Sequence, residues 1–297
     1  MNIIGHKNIF LTVSAALVGA AVLLVIAFGF RQGIDFSGGA LWQFSVSQQK
    51  PSLNDLENIF KSDLGISEIH IAYDSTNSSF LARLPILGEP DHQKYLQLLK
   101  EKLPSFEEMS FQSIGPSVGR ELRNNALIAL ALALVGISLY IAYAFRKVYR
   151  PVSSWKYGVI TLITLFHDVA IPAGLLALLG HYGRIEIDGN FIVALLVIMG
   201  FSVHDTIVVF DRIRENLSLD RGKTDFGILV NQSVNQTMAR SINTSLTLIL
   251  VLLAIYFAGP AGLHYFVLTL LVGVSTGIYS SIFVASPLLT LQRKTRF

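Results

Sequence analysis

A handful of residues in this sequence are chemically out of place. Asp205 lies in Gly200-Phe201-Ser202-Val203-His204-Asp205-Thr206-Ile207-Val208-Val209-Phe210-Asp211-Arg212, which begins as the tail of an apolar run and ends as a charged, water-facing segment. A carboxylate within a membrane helix costs about 2.5–3.5 kcal/mol on insertion scales, so pairing, protonation or water must offset it. Asp211 and Arg212 suit solvated headgroup positions. Asp205 stands about four to six residues further in, roughly 6–9 Å at the helical rise.

Arg240 is the second such residue. On a helix, Gln236, Arg240, Asn243, Thr244 and Thr247 share one face. A snorkelling arginine beside hydroxyls that bond back to their own helix explains part of that stripe. Its continuation for about two turns into the next apolar run goes beyond that explanation. The helices bearing Asp205 and Arg240 run in opposite directions at comparable depth, so the two could meet. An Arg–Asp pair keeps the aspartate ionised; parted from the arginine, a buried aspartate prefers its proton. A carboxylate with two such states can take a proton from one side and release it to the other. The membrane potential biases that cycle by about 2.3 kcal/mol per charge per 100 mV.

Three more groups belong to this set. His204 is about 100° round the helix from Asp205 and reads as a neutral histidine packed between helices, with a proton relay as the alternative. His167 and Asp168 lie midway along an earlier apolar run; Asp168 is either a proton group or an anchor hydrogen-bonded to a neighbouring span. Gly273 and Gly277 make a small-residue face for close helix packing. The 297 residues include no cysteine, which excludes disulfides, thiolate metal sites and a cysteine nucleophile. No nucleotide loop, HExxH or GxSxG signature is present, so nothing argues for an enzyme, ATP use, a cofactor or a metal. The net charge of +3 is weak evidence for a nucleic-acid partner; in such a chain, positive charge more often marks cytoplasmic loops.

The elements that must position these residues follow from hydropathy. The chain is 52% hydrophobic and 14% charged, well below the ~25% charged residues of soluble domains. Apolar runs at 9–30, 125–145, 157–179, 191–210, 241–258 and within 263–291 are long enough to span the ~30 Å hydrocarbon core. The first is too long and lacks the cleavage site of a signal peptide. Residues 211–236 read as an amphipathic, mixed-charge connection, helical in part. Between the first two spans, alternation and helical spacing predict strands at 40–47, 68–74, 80–87 and 106–114. Helices are predicted at 52–63, with Ser52 as N-cap and Asp55 completing the box, and at 91–103. A turn is predicted at 75–78. The order is βαββαβ, a ferredoxin-like α+β domain. The domain could touch an emerging chain by strand addition at a sheet face or edge, or serve as a rigid lever; sequence does not tell whether 40–47 or 106–114 is an edge or covered. The expected organisation is a cytoplasmic N-terminus with the first span (1–30), the outer domain (31–120), and five further spans with a cytoplasmic C-terminus (121–297). The basic loop with Arg146, Lys147, Arg150 and Lys156, the connection with Arg212, Arg214, Arg221 and Lys223, and the tail at 292–297 fall on one side. The positive-inside rule makes that side cytoplasmic and places the α+β domain outside.

Several stretches also resemble a known family. Gly33-Ile34-Asp35-Phe36-Ser37-Gly38-Gly39 is similar to the GxDFxGG signature of the SecD/SecF proteins, so Gly33, Asp35, Gly38 and Gly39 are its motif positions. Ile114 to Leu122 resembles the glycine-rich start of that family's second span, Gly200 to Asn216 its fourth, and Tyr279 to Pro287 its sixth. The single small outer domain fits the SecF branch. The resemblance implies a bacterial plasma-membrane accessory of the Sec translocase, in a resistance-nodulation-division-type architecture. It would form a heterodimer with SecD, beside the SecYEG channel, YajC and YidC. Together they would use proton movement to help draw unfolded secretory proteins across, surrounded by membrane lipid. The resemblance places the proton pathway on Asp205 and Arg240, and departs from the family at His204, where asparagine is commoner. Two other readings compete with this one: half of a lipid or small-molecule exporter of the same architecture, and a non-conducting scaffold for SecD. The small outer domain and the two terminal motifs argue against the exporter.

Overall fold

Among the described residues, six helices are long and apolar enough to cross a membrane, and a four-stranded sheet lies between the first and second of them. The computed structural model describes residues 1–47, 51–74, 78–146, 152–183, 185–220 and 222–291. Most of the expected basic loop, Arg221, the basic tail and most of the turn at 75–78 lie outside the described residues.

After α1 (Lys7–Phe28) comes one helical turn, α2 (Ile34–Ser37), and then β1 (Gly39–Val46). α3 (Leu53–Asn58) continues as a π turn through Asp63, followed by β2 (His70–Asp74), β3 (Ser79–Leu84), α4 (Glu89–Lys102) and β4 (Phe106–Ile114). The sheet is antiparallel in the order β2-β3-β1-β4, the ferredoxin-like arrangement. α3 starts where the capping box put it: Ser52 Oγ accepts the Asp55 N–H at 3.1 Å, and Asp55 Oδ2 accepts the Ser52 N–H at 3.2 Å. The strand order settles which strands are edges: β1 is covered by β3 and β4 on its two sides, and the edges are β4 and β2.

β1 buries alternate residues Ala40, Trp42, Phe44 and Val46 against Leu56, Phe60, Leu99 and Phe106. Trp42 is fully buried, and its indole N–H donates to Glu108 Oε2 at 3.0 Å. Truncating such an aromatic costs about 3–5 kcal/mol, and the loss here also removes one of the two partners of Glu108 Oε2, leaving His92 Nε2 at 2.8 Å. A core this small has little stability to spare. Trp42→Ala is therefore expected to unfold the sheet region while the spans stay intact. Limited proteolysis of the full chain should show new cleavage confined to 39–114, with the helical circular dichroism of the spans unchanged.

The remaining spans are α5 (Pro116–Ala144), α6 (Ser154–Gly183), α7 (Gly189–Asp220), α8 (Phe226–Ala258) and α9 (His264–Ser280). A π turn (Ser281–Ala285) and α10 (Ser286–Leu289) follow α9. The 211–236 stretch is helical in part, as expected, and its helical parts continue the spans on either side. α7 runs on to Asp220 and α8 starts at Phe226, because the polar faces of the two extensions satisfy one another. Asn216 Nδ2 donates to Ser233 Oγ at 2.7 Å and to Gln236 Oε1 at 3.0 Å, and Asp225 caps α8 by accepting the Gly227 N–H at 2.9 Å. The small-residue face of α9 packs on α7: Gly273 lies against Ile198, and Gly277 lies against Ser202.

The bundle carries two apolar clusters. One joins Tyr157, Val209, Phe210, Ile213, Val230, Val234 and Ile282 toward one end. The other joins Ala173, Leu176, Phe191, Leu195, Ile198, Leu252 and Val274 toward the end that meets the sheet, and it includes Phe36 of α2. On α6, α7, α8 and α9, most of the buried residues between the two clusters are polar.

Candidate functional site

That polar layer crosses the bundle at one level. α6 supplies Thr161, Thr164, His167 and Asp168, α7 supplies Ser202, Asp205 and Thr206, α8 supplies Ser241 and Ser245, and α9 with its π turn supplies Ser280 and Ser281; all are buried. Asp168 is fully buried and fully bonded. His167 Nδ1 pairs with its Oδ1 at 2.8 Å; Ser202 Oγ and Ser280 Oγ both donate to its Oδ2, the latter at 2.7 Å. This one carboxylate therefore ties α6 to α7 and α9. Pro172 follows it by four residues, so the Asp168 carbonyl has no helical N–H partner from that position. His167 stacks near Tyr279, whose hydroxyl donates to the Phe10 carbonyl at 3.1 Å, while His167 Nε2 has no partner among the described residues.

Asp205 is held differently. It is 6% exposed, with the Ser241 and Ser281 hydroxyls as its nearest polar neighbours. Nevertheless, Asp205 Oδ2, Ser241 Oγ and Ser245 Oγ all lack a well-formed hydrogen bond among the described residues. Ser281 Oγ is engaged with Thr206 Oγ1 at 2.9 Å. A buried polar atom without a partner costs about 1–3 kcal/mol, and three cluster here. The backbone beside them is irregular too: the π turn begins at Ser281, a form that recurs at functional sites.

In this structure Arg240 is exposed and makes no ion pair with the buried Asp205. Ser241 points into the layer, so Arg240, one residue and about 100° round, points out. Arg240, Asn243, Thr244 and Thr247 form an exposed polar stripe on α8. His204 is exposed as well, on the outward face of α7, rather than packed between helices of this chain. Sequence reasoning passed over the serines. The signal was present: Ser233, Thr237, Ser241 and Ser245 recur every four residues on α8, and all four are buried.

The motif residues sit at the far end of the bundle. Gly33 N–H donates to the Ile187 carbonyl at 2.8 Å, and Asp35 Oδ2 accepts the Gly189 N–H at 2.7 Å. A Cβ on Gly38 would stand 2.8 Å from Pro116 Cα, and one on Gly39 would stand 2.9 Å from the Leu84 carbonyl oxygen; both have positive φ. The glycines thus let the start of α5 and the end of β3 close onto this turn.

A family model described as protein export membrane protein SecD/SecF, C-terminal, matches residues 94–295, which takes in the whole polar layer. The chain belongs to the SecD/SecF family. A protein translocase subunit SecF of Thermobaculum terrenum is 42% identical over 301 residues, covering 97% of this chain and 93% of the relative. A protein translocase subunit SecDF of Thermus thermophilus is 34% identical over 99% of this chain, which spans 39% of that longer relative. The crystal structure of SecDF from the same organism superposes with a TM-score of 0.81 at 35% identity, over 97% of this chain and 38% of that one. A SecDF structure described as a super-membrane-facing form covers the same 97% of this chain, and 38% of its own, at 34% identity with a TM-score of 0.68. Family members thus occur both as chains of this size and as segments of a fused chain, and they are named as protein translocase subunits.

Proposed function

We propose that the chain is an accessory subunit of the Sec protein-export machinery that works with SecD and couples the proton-motive force to the release of secreted proteins. The observation that carries the coupling is Asp205: a carboxylate buried within a membrane-spanning helix, with one oxygen unpartnered beside unpartnered hydroxyls. Such a group gains by taking a proton, and it gains by losing it again when a cation approaches. Arg240 is the cation this chain offers, one residue from Ser241. The stripe of Arg240, Asn243 and Thr244, with His204 on the neighbouring helix, is exposed at the level of the polar layer. Polar side chains in spans face protein or water rather than lipid, so a partner's helices cover this stripe. Fused SecDF relatives supply SecD for that role. Asp168, with three donors on its oxygens, serves as the anchor of the layer.

On this reading, residues 1–30 and 121–297 are the membrane part, in the plasma membrane with both termini cytoplasmic. Residues 31–120 form the outer domain, which moves as the proton cycle turns. SecYEG, YajC, YidC and the emerging unfolded chain are the surroundings in which it works. The test is release of a secreted protein from vesicles holding SecYEG, SecD and this chain. Release should accelerate when a proton gradient is imposed, and only when the chain is present. Equal rates with and without the gradient would overturn the reading.

A further inference from the structure

The sheet is covalently joined to only two spans, α1 through residues 29–38 and α5 through Gly115. Neither carries a carboxylate of the polar layer. Asp205 and Ser202 ride on α7, whose link to the sheet is entirely non-covalent, and that link is elaborate. The first turn of α7 receives two carboxylates: Asp188 Oδ1 accepts the Phe191 N–H at 3.1 Å from within the same segment, and Asp35 Oδ2 accepts the Gly189 N–H at 2.7 Å from 154 residues away. Both lie at the positive end of the helix dipole, where a carboxylate is stabilised. Just before them, a two-bond parallel bridge joins the two segments: Gly33 N–H to the Ile187 carbonyl and Ile187 N–H to the Arg31 carbonyl, each 2.8 Å. Arg83 of β3 closes the arrangement. It pairs with Glu186, and its Nη2 donates to the Gln32 carbonyl at 3.0 Å and to Ser37 Oγ at 2.9 Å. Phe36 is 4% exposed and belongs to the same apolar cluster of the bundle as Phe191.

Residues 31–37 are thus bonded to α7 on one side and run directly into β1, the centre of the sheet, on the other. A shift or rotation of α7 cannot leave this segment behind without breaking a charge-assisted bond, an ion pair and a backbone bridge together. We infer that Asp35, with the Arg83–Glu186 pair, is the transmission element that converts displacement of α7 at the polar layer into movement of the outer domain. Asp35 and Arg83 touch no proton in this scheme; they position the sheet on α7. The inference rests on Asp205 as the proton-responsive group.

The absence of cysteine makes the test direct. Met109→Cys on β4 and Tyr182→Cys at the end of α6, both exposed, take spin labels in the full chain assembled with SecD in vesicles. The distance between the labels is read with and without a proton gradient. The parent should show a gradient-dependent shift. Asp35→Ala and Glu186→Arg should lose it while still assembling with SecD, Asp35→Asn should keep part of it through its carbonyl acceptor, and Arg83→Glu combined with Glu186→Arg should restore it. A merely structural role predicts no such rescue. A full shift in Asp35→Ala, or no rescue by the exchanged pair, overturns the inference. Asp205→Asn separates the two levels. If it abolishes the shift while Asp35→Ala retains it, the proton reading stands and the transmission element falls. If the shift survives Asp205→Asn, or the parent shows none, both fall.

Discussion

Asp205→Asn is expected to remove the gradient-dependent part of protein release, leaving the rate that the same vesicles show without a gradient. The substitution keeps size and shape and places a neutral amide where a protonated carboxyl would stand. Its Nδ2 can donate to the unpartnered Ser241 hydroxyl, and its Oδ1 can accept from Ser281, so the variant folds at least as well as the parent. What it lacks is the charged state. A potential of 100 mV acts on one charge with about 2.3 kcal/mol, a bias of roughly 50-fold, and that bias acts only on a group that can gain and lose a proton. Asp205→Glu keeps the titratable group but lengthens it by a methylene in a packed layer, and should retain a reduced response. Vesicle release assays on the two variants, with assembly checked by co-purification of SecD, measure both outcomes. A scaffold that never titrates would give Asn the full rate, and that result would exclude Asp205 from the proton pathway.

The small α+β region was almost completely legible because its signals are local. The Ser52 capping box, the alternation of Ala40, Trp42, Phe44 and Val46, and the order of elements all act within a few residues. The six spans were legible for a similar reason, since bilayer thickness sets their length. Two features were less legible, because tertiary contact rather than local pattern decides them. The charged stretch at 211–236 looks like a connection by hydropathy, yet Asn216, Ser233 and Gln236 zip the helical extensions together. The Asp205–Arg240 pair was argued from depth, which hydropathy reports, while rotation about the helix axis decides contact, and hydropathy reports that poorly. The buried four-residue ladder of hydroxyls on α8 carried the rotation, because small hydroxyl side chains suit the close helix contacts that long ones do not. The same rotation turns Arg240, Asn243 and Thr244 outward. Their depth is a property of this chain, while their cover belongs to the assembly.

Asp168 makes the contrasting case. Asp168→Leu should destabilise the bundle by about 3–5 kcal/mol, the cost of removing one member of a buried, fully bonded group. Leucine has similar volume, so the loss is not a cavity. It comes from His167 Nδ1 and the Ser202 and Ser280 hydroxyls, all of which lose their acceptor together. Ser280 recovers part of this through the Gly277 carbonyl, already 3.1 Å away. Asp168→Asn should cost much less: its Oδ1 still accepts from both serines, and its Nδ2 can donate to His167 Nδ1 once the imidazole proton moves to Nε2. Thermal unfolding in detergent, followed by loss of helical signal, should order the three proteins as parent, Asn and Leu, with Asn close to the parent. The gradient response then distinguishes anchor from proton group. An anchor gives Asn a normal response, because the geometry of α6, α7 and α9 is preserved. A proton group would give Asn the defect of Asp205→Asn at normal stability. The bonding around the two carboxylates favours the first outcome, since Asp168 has three donors and Asp205 has an oxygen with none.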